Sequence, residues 1–321
     1  MASSKVSVLL TGATGFVGSH IYATLVAHGF DVLCGTRTPE AAAKRFPGRR
    51  WCQLALDDEG SVRAALAQVN RAIYLAHSMA EPGDYLARER THAETFRDLA
   101  AAAGLERIVY LGGIRPKGKV SRHLESRLAT GEILRSGSVP AIELRATMIV
   151  GGGSESFRIV RDLAARLPWM LLPRWLRSRT QPVAIADIGD AIAHAVEMPI
   201  KGSAVYEAPG PERLSGDAIL MRTAALLGHH PKVRWVPFVT PRLSSYWIRL
   251  VTRANPHVAR ELVEGLRSDI MAEGKEIWTT MPHFTPTTFD AAVRSALREE
   301  AESLPAATLL VERALHGLPG A

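Results

Sequence analysis

Thr11-Gly12-Ala13-Thr14-Gly15-Phe16-Val17-Gly18 is the stretch that decides the fold. Val6 to Leu10, just before it, is a short apolar run that reads as a buried strand. Ser19 to His28, after it, reads as a helix stopped by Gly29. Strand, glycine turn, helix is the context that a dinucleotide phosphate site requires. The glycines have separate tasks: a tight turn, close approach of backbone to a pyrophosphate, and close packing of helix on strand. Phosphates then meet free N–H groups at the helix N-terminus, where the helix dipole favours negative charge.

Composition sets the outer bounds. The chain has 321 residues, 47% hydrophobic and 22% charged, which fits one large or two modest globular domains and excludes a largely disordered chain. No apolar run approaches the length needed to span a bilayer. The first five residues lead straight into the first strand, which predicts no secretory leader. Cys34 and Cys52 have no metal-binding spacing and read as buried thiols of a reducing, cytoplasmic compartment. The 39 Lys and Arg exceed the 32 Asp and Glu, for a net charge of +7. By clusters of basic residues the excess reads as spread out, at Arg49-Arg50, Arg115 to Arg122 and Arg174 to Arg179. It reads as a solvated surface or as attraction of an anionic cofactor, substrate or membrane surface. No nucleic-acid motif, repeat or low-complexity segment is present, and no nucleic-acid partner is expected.

Six strand–helix alternations precede Gly151, which predicts an α/β fold: a doubly wound parallel sheet of the Rossmann type with a smaller, mostly helical second domain. The second strand, Asp31 to Gly35, ends at Thr36-Arg37. A carboxylate there would bind a ribose 2′-hydroxyl and select NAD. Arg37 can instead pair bidentately with a 2′-phosphate, favouring NADP over NAD; the bland reading is a surface arginine after a strand. Asp57 and Asp58 follow the third strand, Trp51 to Leu56, and either can cap the helix Glu59 to Gln68.

The octet, spaced Gly-x-x-Gly-x-x-Gly with Thr11 in front, resembles the N-terminal motif of the extended and atypical short-chain dehydrogenase/reductase superfamily. The resemblance implies NAD(P) binding by Thr11, Gly12, Thr14, Gly15, Phe16, Val17 and Gly18. It places Asp57 near the adenine, and Ala76, His77 and Ser78, at the end of the fourth strand, along the cofactor ribose and nicotinamide. Leu144-Arg145-Ala146-Thr147-Met148-Ile149-Val150-Gly151 is similar to the superfamily's LRPxxVYG segment, and Gln181 to Ile188 to its V-x-V-x-D-V element, with Asp187 read as a helix cap.

Two departures concern chemistry. Catalytic members carry a serine or threonine just past the fifth strand, where this chain has Gly112-Gly113. Their Tyr-x-x-x-Lys pair aligns with His123-x-x-x-Arg127. Spacing of four keeps both side chains on one helix face, so His123 is the expected proton donor and Arg127 the ribose or phosphate ligand. Within the superfamily the chain looks most like the NmrA-like branch, a group that includes an accessory subunit of respiratory complex I and members that lack the tyrosine.

Gly151-Gly152-Gly153 marks the expected boundary between a cofactor domain, 1–153, and a substrate domain, 154–321, whose segment 181–200 packs back on the first. Pro168 to Trp175 reads as an irregular apolar pocket wall or lid. Pro241 to Thr252, Pro256 to Met271 and Pro305 to His316 read as helices. The first two are amphipathic and suit a substrate pocket, a homodimer contact or the surface of a membrane. The sequence thus predicts an NADP-dependent oxidoreductase acting on a small apolar carbonyl or alkene, as monomer or homodimer. Its rival is a non-catalytic NADP(H)-binding redox sensor or assembly factor.

Overall fold

Short apolar runs separated by helix-forming segments build the core. In the structure, a computed structural model, residues 5–76, 85–118, 120–167, 169–236 and 268–303 are described. The strands are β1 (Ser7–Leu10), β2 (Asp31–Thr36), β3 (Arg50–Gln53), β4 (Arg71–Tyr74), β5 (Arg107–Gly113) and β6 (Ala141–Ala146). They alternate with α1 (Phe16–Ala27), α2 (Pro39–Arg45), α3 (Glu59–Leu66), α4 (Tyr85–Ala102) and α5 (Arg122–Arg135). Strands buried on both faces read as continuous apolar runs, as in parallel sheets covered by helices.

Later in the chain come β7 (Ile149–Val150), α6 (Glu155–Arg166), β8 (Trp169–Pro173), β9 (Arg179–Thr180), β10 (Val183–Ala184), α7 (Ile185–Glu197) and β11 (Ala204–Glu207). They are followed by β12 (Leu214–Ser215), α8 (Gly216–Leu226), β13 (Lys232–Val236) and a helix labelled α9 here, Phe289–Ser303.

The main sheet has seven strands in the order β11-β6-β5-β4-β1-β2-β3, all parallel. Strand order reverses between β1 and β4, which is where a doubly wound sheet opens a ligand crevice at the carboxyl ends of its strands. One face packs Leu10, Cys34, Ile73 and Val109 against Ile21 and Leu25 of α1 and Ile188 and Ile192 of α7. The other packs Leu9, Tyr74 and Tyr110 against Leu66 of α3, Phe96 of α4 and Leu134 of α5. Cys34 belongs to the first core and Cys52 packs on the second, so the two free thiols face opposite sides of the sheet.

Several elements differ from the sequence reading. Gly112 and Gly113 are the last residues of β5 rather than the loop after it. Trp169–Pro173 is a strand, paired in parallel with Lys232–Val236, not an irregular wall. Asp187 lies inside the first turn of α7, whose cap is Ala184. The Asp187 carboxylate instead accepts hydrogen bonds from the backbone N–H (2.8 Å) and hydroxyl (2.7 Å) of Thr287, which ties down the approach to α9. At the end of the expected helix Pro256 to Met271, Ile270 forms a bridge with Thr180. Residues 268–271 are therefore not helical, and residues 256–267 of that helix, with those expected at 241–252 and 305–316, lie outside the described residues.

Candidate functional site

Everything about the site follows from how the glycine octet is held. Thr11 is fully buried behind the turn. Its hydroxyl accepts from the N–H of Leu75 (2.8 Å) and of Ala76 (3.2 Å), locking the turn to the end of β4. Gly12 has φ +63, which a side chain rarely adopts. A Cβ at Gly18 would stand 2.4 Å from the Gly12 carbonyl oxygen, so only glycine lets α1 pack that close. Gly15 is different. Its φ of −77 and ψ of 175 suit any residue. A Cβ there would meet only the Gly12 carbonyl oxygen, at 3.2 Å, a contact that a small shift relieves. Neither turn nor packing demands a glycine at position 15; the space in front of it does.

That space is a cavity of about 720 Å3 at the strand-order reversal. Thr14, Gly15, Phe16, Val17 and Gly18 line it with the first turn of α1. Gly15 caps α1 without a side-chain hydrogen bond, and no acidic residue lies in the first turn. The first N–H groups of a helix have no intrahelical acceptor, so this end offers donors and a positive dipole to an anion. Arg37, exposed at the end of β2, lines the same cavity, as do Asp57 and Ala76. Asp58 is the residue that caps α3, accepting from the Gly60 N–H at 2.9 Å, which leaves Asp57 to the cavity. His77 and Ser78 lie outside the described residues.

The far end is built by β5, α5 and the chain after β6. His123 and Arg127 both line the cavity, one turn apart on α5. Ser121 starts that helix by accepting from the Leu124 N–H at 3.3 Å. The Arg127 guanidinium donates to the Leu111 carbonyl, and the Tyr110 hydroxyl donates to the Arg127 carbonyl at 2.9 Å. Arg127 is thus fixed to the end of β5. Burial, and then the charge of Arg127, push His123 down to about 3. With that pKa the imidazole is neutral at physiological pH.

The two glycines that end β5 differ in the room they leave for a side chain. A Cβ at Gly112 would lie 2.9 Å from Glu143 Oε1. Glu143 is fully buried in β6 and paired with Arg135 (2.9 Å) and Arg145 (2.8 Å). At Gly113 a Cβ would meet only the flexible tip of Leu124, at 2.6 Å, apart from a backbone oxygen at 4.0 Å.

The sequence reading missed Arg88 and His92, which α4 brings to the cavity from one helix face, and Ser154, Glu155 and Ser156 at the start of α6. The spacing of four between Arg88 and His92 was the available signal. Trp169 and Trp175, expected as a pocket wall, do not line this cavity; its apolar lining at this end includes Leu111, Ile114, Leu124, Met148, Ile149 and Ile270. Among the described residues no cluster of His, Cys, Asp and Glu could hold a metal ion, and no helix is long and apolar enough to cross a membrane.

Residues 8–139, the glycine turn through α5, match a known family. The match is to the NAD dependent epimerase/dehydratase family, and it covers the cofactor-side half of the fold. No curated protein matches the chain by sequence. Solved structures share this chain's fold beyond the matched segment as well. Citrobacter sp. triphenylmethane reductase complexed with NADP(H) superposes with a TM-score of 0.70 at 16% identity, over 90% of this chain and 99% of the other. MoeE5 in complex with UDP-glucose and NAD gives 0.67 at 18% identity, over 93% and 100%. A nucleoside-diphosphate-sugar epimerase from Staphylococcus aureus gives 0.70 at 13% identity, over 90% and 99%. At these identities the likeness is one of fold.

Proposed function

We propose that the cavity binds NADP(H) and that the protein is an oxidoreductase reducing a small apolar carbonyl or alkene. The observation that carries the dinucleotide reading is Gly15, a glycine required neither by backbone angle nor by packing, in front of an uncapped helix N-terminus. Such a cradle suits a pyrophosphate. Arg37 in the same cavity supports the 2′-phosphate, and the NADP(H)-bound reductase of the same fold supports a reductase.

Bound NADPH would supply a hydride from C4 of its nicotinamide. The chain's own part is to bind and orient. Arg127, anchored to Leu111, would donate to ribose or phosphate oxygens. Neutral His123 would offer an N–H to a substrate oxygen as a hydrogen bond, without giving up its proton. The proton that completes reduction of a carbonyl would then come from water. Leu124, Met148, Ile149 and Ile270 suit an apolar substrate.

The test is NADPH oxidation by purified protein across aldehydes, ketones, quinones and enones. Substrate-dependent oxidation in at least one class is the expected result. The absence of a hydroxyl at Gly112 and Gly113 favours a second reading, an NADP(H)-binding protein without turnover. Tight NADPH binding with no oxidation in any class would establish that reading instead.

A further inference from the structure

Counting acids as well as basic residues shows a charge imbalance that basic clusters alone conceal. No Asp or Glu occurs from Leu163 to Ala186, a run with four arginines. None occurs from Ala218 to Arg260, a run with seven Lys and Arg, equal to the net +7 of the whole chain. The fold joins the two runs: β8 belongs to the first and β13 to the second, and they pair in parallel, Trp169 beside Lys232 and Leu172 beside Trp235.

This ribbon carries the two exposed tryptophans among the described residues, Trp169 at 54% and Trp235 at 38% exposure. Met170 and Leu172 anchor it, packing with Leu176 and with Leu220 of α8. The Lys232 ammonium lies 5.0 Å from the centre of the Trp169 ring, and the Arg177 guanidinium 4.5 Å from that of Trp235. Arg174 and Arg234 are exposed beside them. Arg166 pairs with Asp162, Arg179 with Asp269, and Arg222 with Glu212 and Asp290, so these three add little free charge. That leaves Arg174, Arg177, Lys232 and Arg234 as the cations of the ribbon.

We infer that the β8–β13 ribbon is a docking surface for an anionic lipid bilayer. Indole rings are amphipathic and settle at headgroup depth, while exposed Lys and Arg meet anionic headgroups. Both ring systems already hold a cation over one face, which suits a headgroup layer better than stacking of bases on open rings. The main cavity lines itself with other residues, so this inference is independent of the cofactor reading.

Cosedimentation of the full chain with phosphatidylcholine vesicles, with and without phosphatidylserine, tests it. Binding should require phosphatidylserine and weaken as salt rises. Lys232→Ala and Arg234→Ala should each lower the partition constant about five-fold, the usual worth of one basic residue at a charged membrane surface. Brominated lipid should quench the wild-type tryptophan fluorescence, and less so in Trp169→Phe and Trp235→Phe. All four sites are exposed, and circular dichroism checks that each variant is folded; Arg234→Glu replaces any that is not. Equal binding to pure phosphatidylcholine would overturn the inference. So would partition unchanged in the Lys232→Ala, Arg234→Ala double variant, or binding to polyglutamate or an oligonucleotide but not to vesicles.

Discussion

Three residues around the cavity make separable claims. Arg37 should give NADPH an advantage over NADH, because a charge-assisted pair with a phosphate is worth about 1.5–3 kcal/mol, roughly ten- to a hundred-fold in affinity. Fluorescence titration of both cofactors measures it, and Arg37→Ala should bring the two affinities together. Gly15→Val should leave the fold intact, since the backbone angles there suit a side chain, yet abolish binding of either cofactor. A folded Gly15→Val protein that binds normally would place the phosphates elsewhere. His123 makes the third claim, through pH. Its pKa falls from the usual 6.5 to about 3 on folding, so the unfolded chain takes up a proton in a range where the folded chain does not. Stability is therefore complete above about 6.5 and is lost as pH falls toward about 3. One such group contributes at most about 1.4 kcal/mol per pH unit in that window. Urea denaturation across this range should show a shallower acid loss in His123→Gln. Any NADPH oxidation should show no step at the ordinary histidine pKa. A rate that fell through that value would restore His123 as an acid.

At the scale of elements, α5 sits close to β6 because Gly131 faces Glu143. A Cβ at Gly131 would lie 2.5 Å from the Glu143 carboxyl carbon. Alanine normally favours a helix interior over glycine by about 1 kcal/mol. Here Gly131→Ala should destabilise instead, by about 1–3 kcal/mol, the usual cost of overpacking. Thermal or urea denaturation gives the sign. In a Glu143→Ala background, itself destabilised because two arginines lose their buried partner, the added cost should shrink, as contacting residues do in a double-mutant cycle. A stabilising Gly131→Ala would show that Glu143 gives way to a neighbouring side chain and that its place does not depend on glycine. The same elements show what the sequence could reveal. Gly12 and Thr14 to Gly18 of the octet, Arg37, Asp57 and the pair His123 and Arg127 line one cavity, because strand-turn-helix punctuation and helix spacing are local signals, while Thr11 is buried behind the turn. Glu143 was illegible: nothing in Ala141–Ala146 announces that arginines from α5 and from its own strand will neutralise it. Trp169–Pro173 was illegible as a strand for another reason. Its residues are apolar on both faces, so no alternation shows, and its partner strand, β13, lies far along the chain. The shifted pKa of His123 depends on burial, which no spacing in the sequence reports.

At the scale of the molecule, the sheet is completed from the second half of the chain. β11 pairs with β6 along Ala204 to Glu207, and α7 covers the face that holds Leu10, Ile73 and Val109. Further ties cross the 151–153 loop. The Gly152 N–H donates to Glu299 at 2.9 Å, and Arg161 joins α6 to Glu300 of α9. A fragment ending at Gly153 would therefore keep the glycine turn and most strands but lose an edge strand and a covering helix. Burial of each large side chain of α7, such as Ile188, Ile192 and Val196, is worth about 1.5–3 kcal/mol. Their joint loss approaches the whole stability of an ordinary domain, about 5–15 kcal/mol. The exposed edge of β6 would also be free to pair with other chains. Residues 1–153 expressed alone should thus aggregate or stay loosely packed, bind a hydrophobic dye, show no cooperative melt and fail to bind NADPH. The full chain should bind NADPH and gain stability as the ligand concentration rises, since binding to the folded state alone stabilises it. A fragment 1–153 that melts cooperatively and binds NADPH would show that α7 and β11 decorate a self-sufficient domain. Failure of the fragment while the full chain binds would show that the cofactor site depends on chain from both halves.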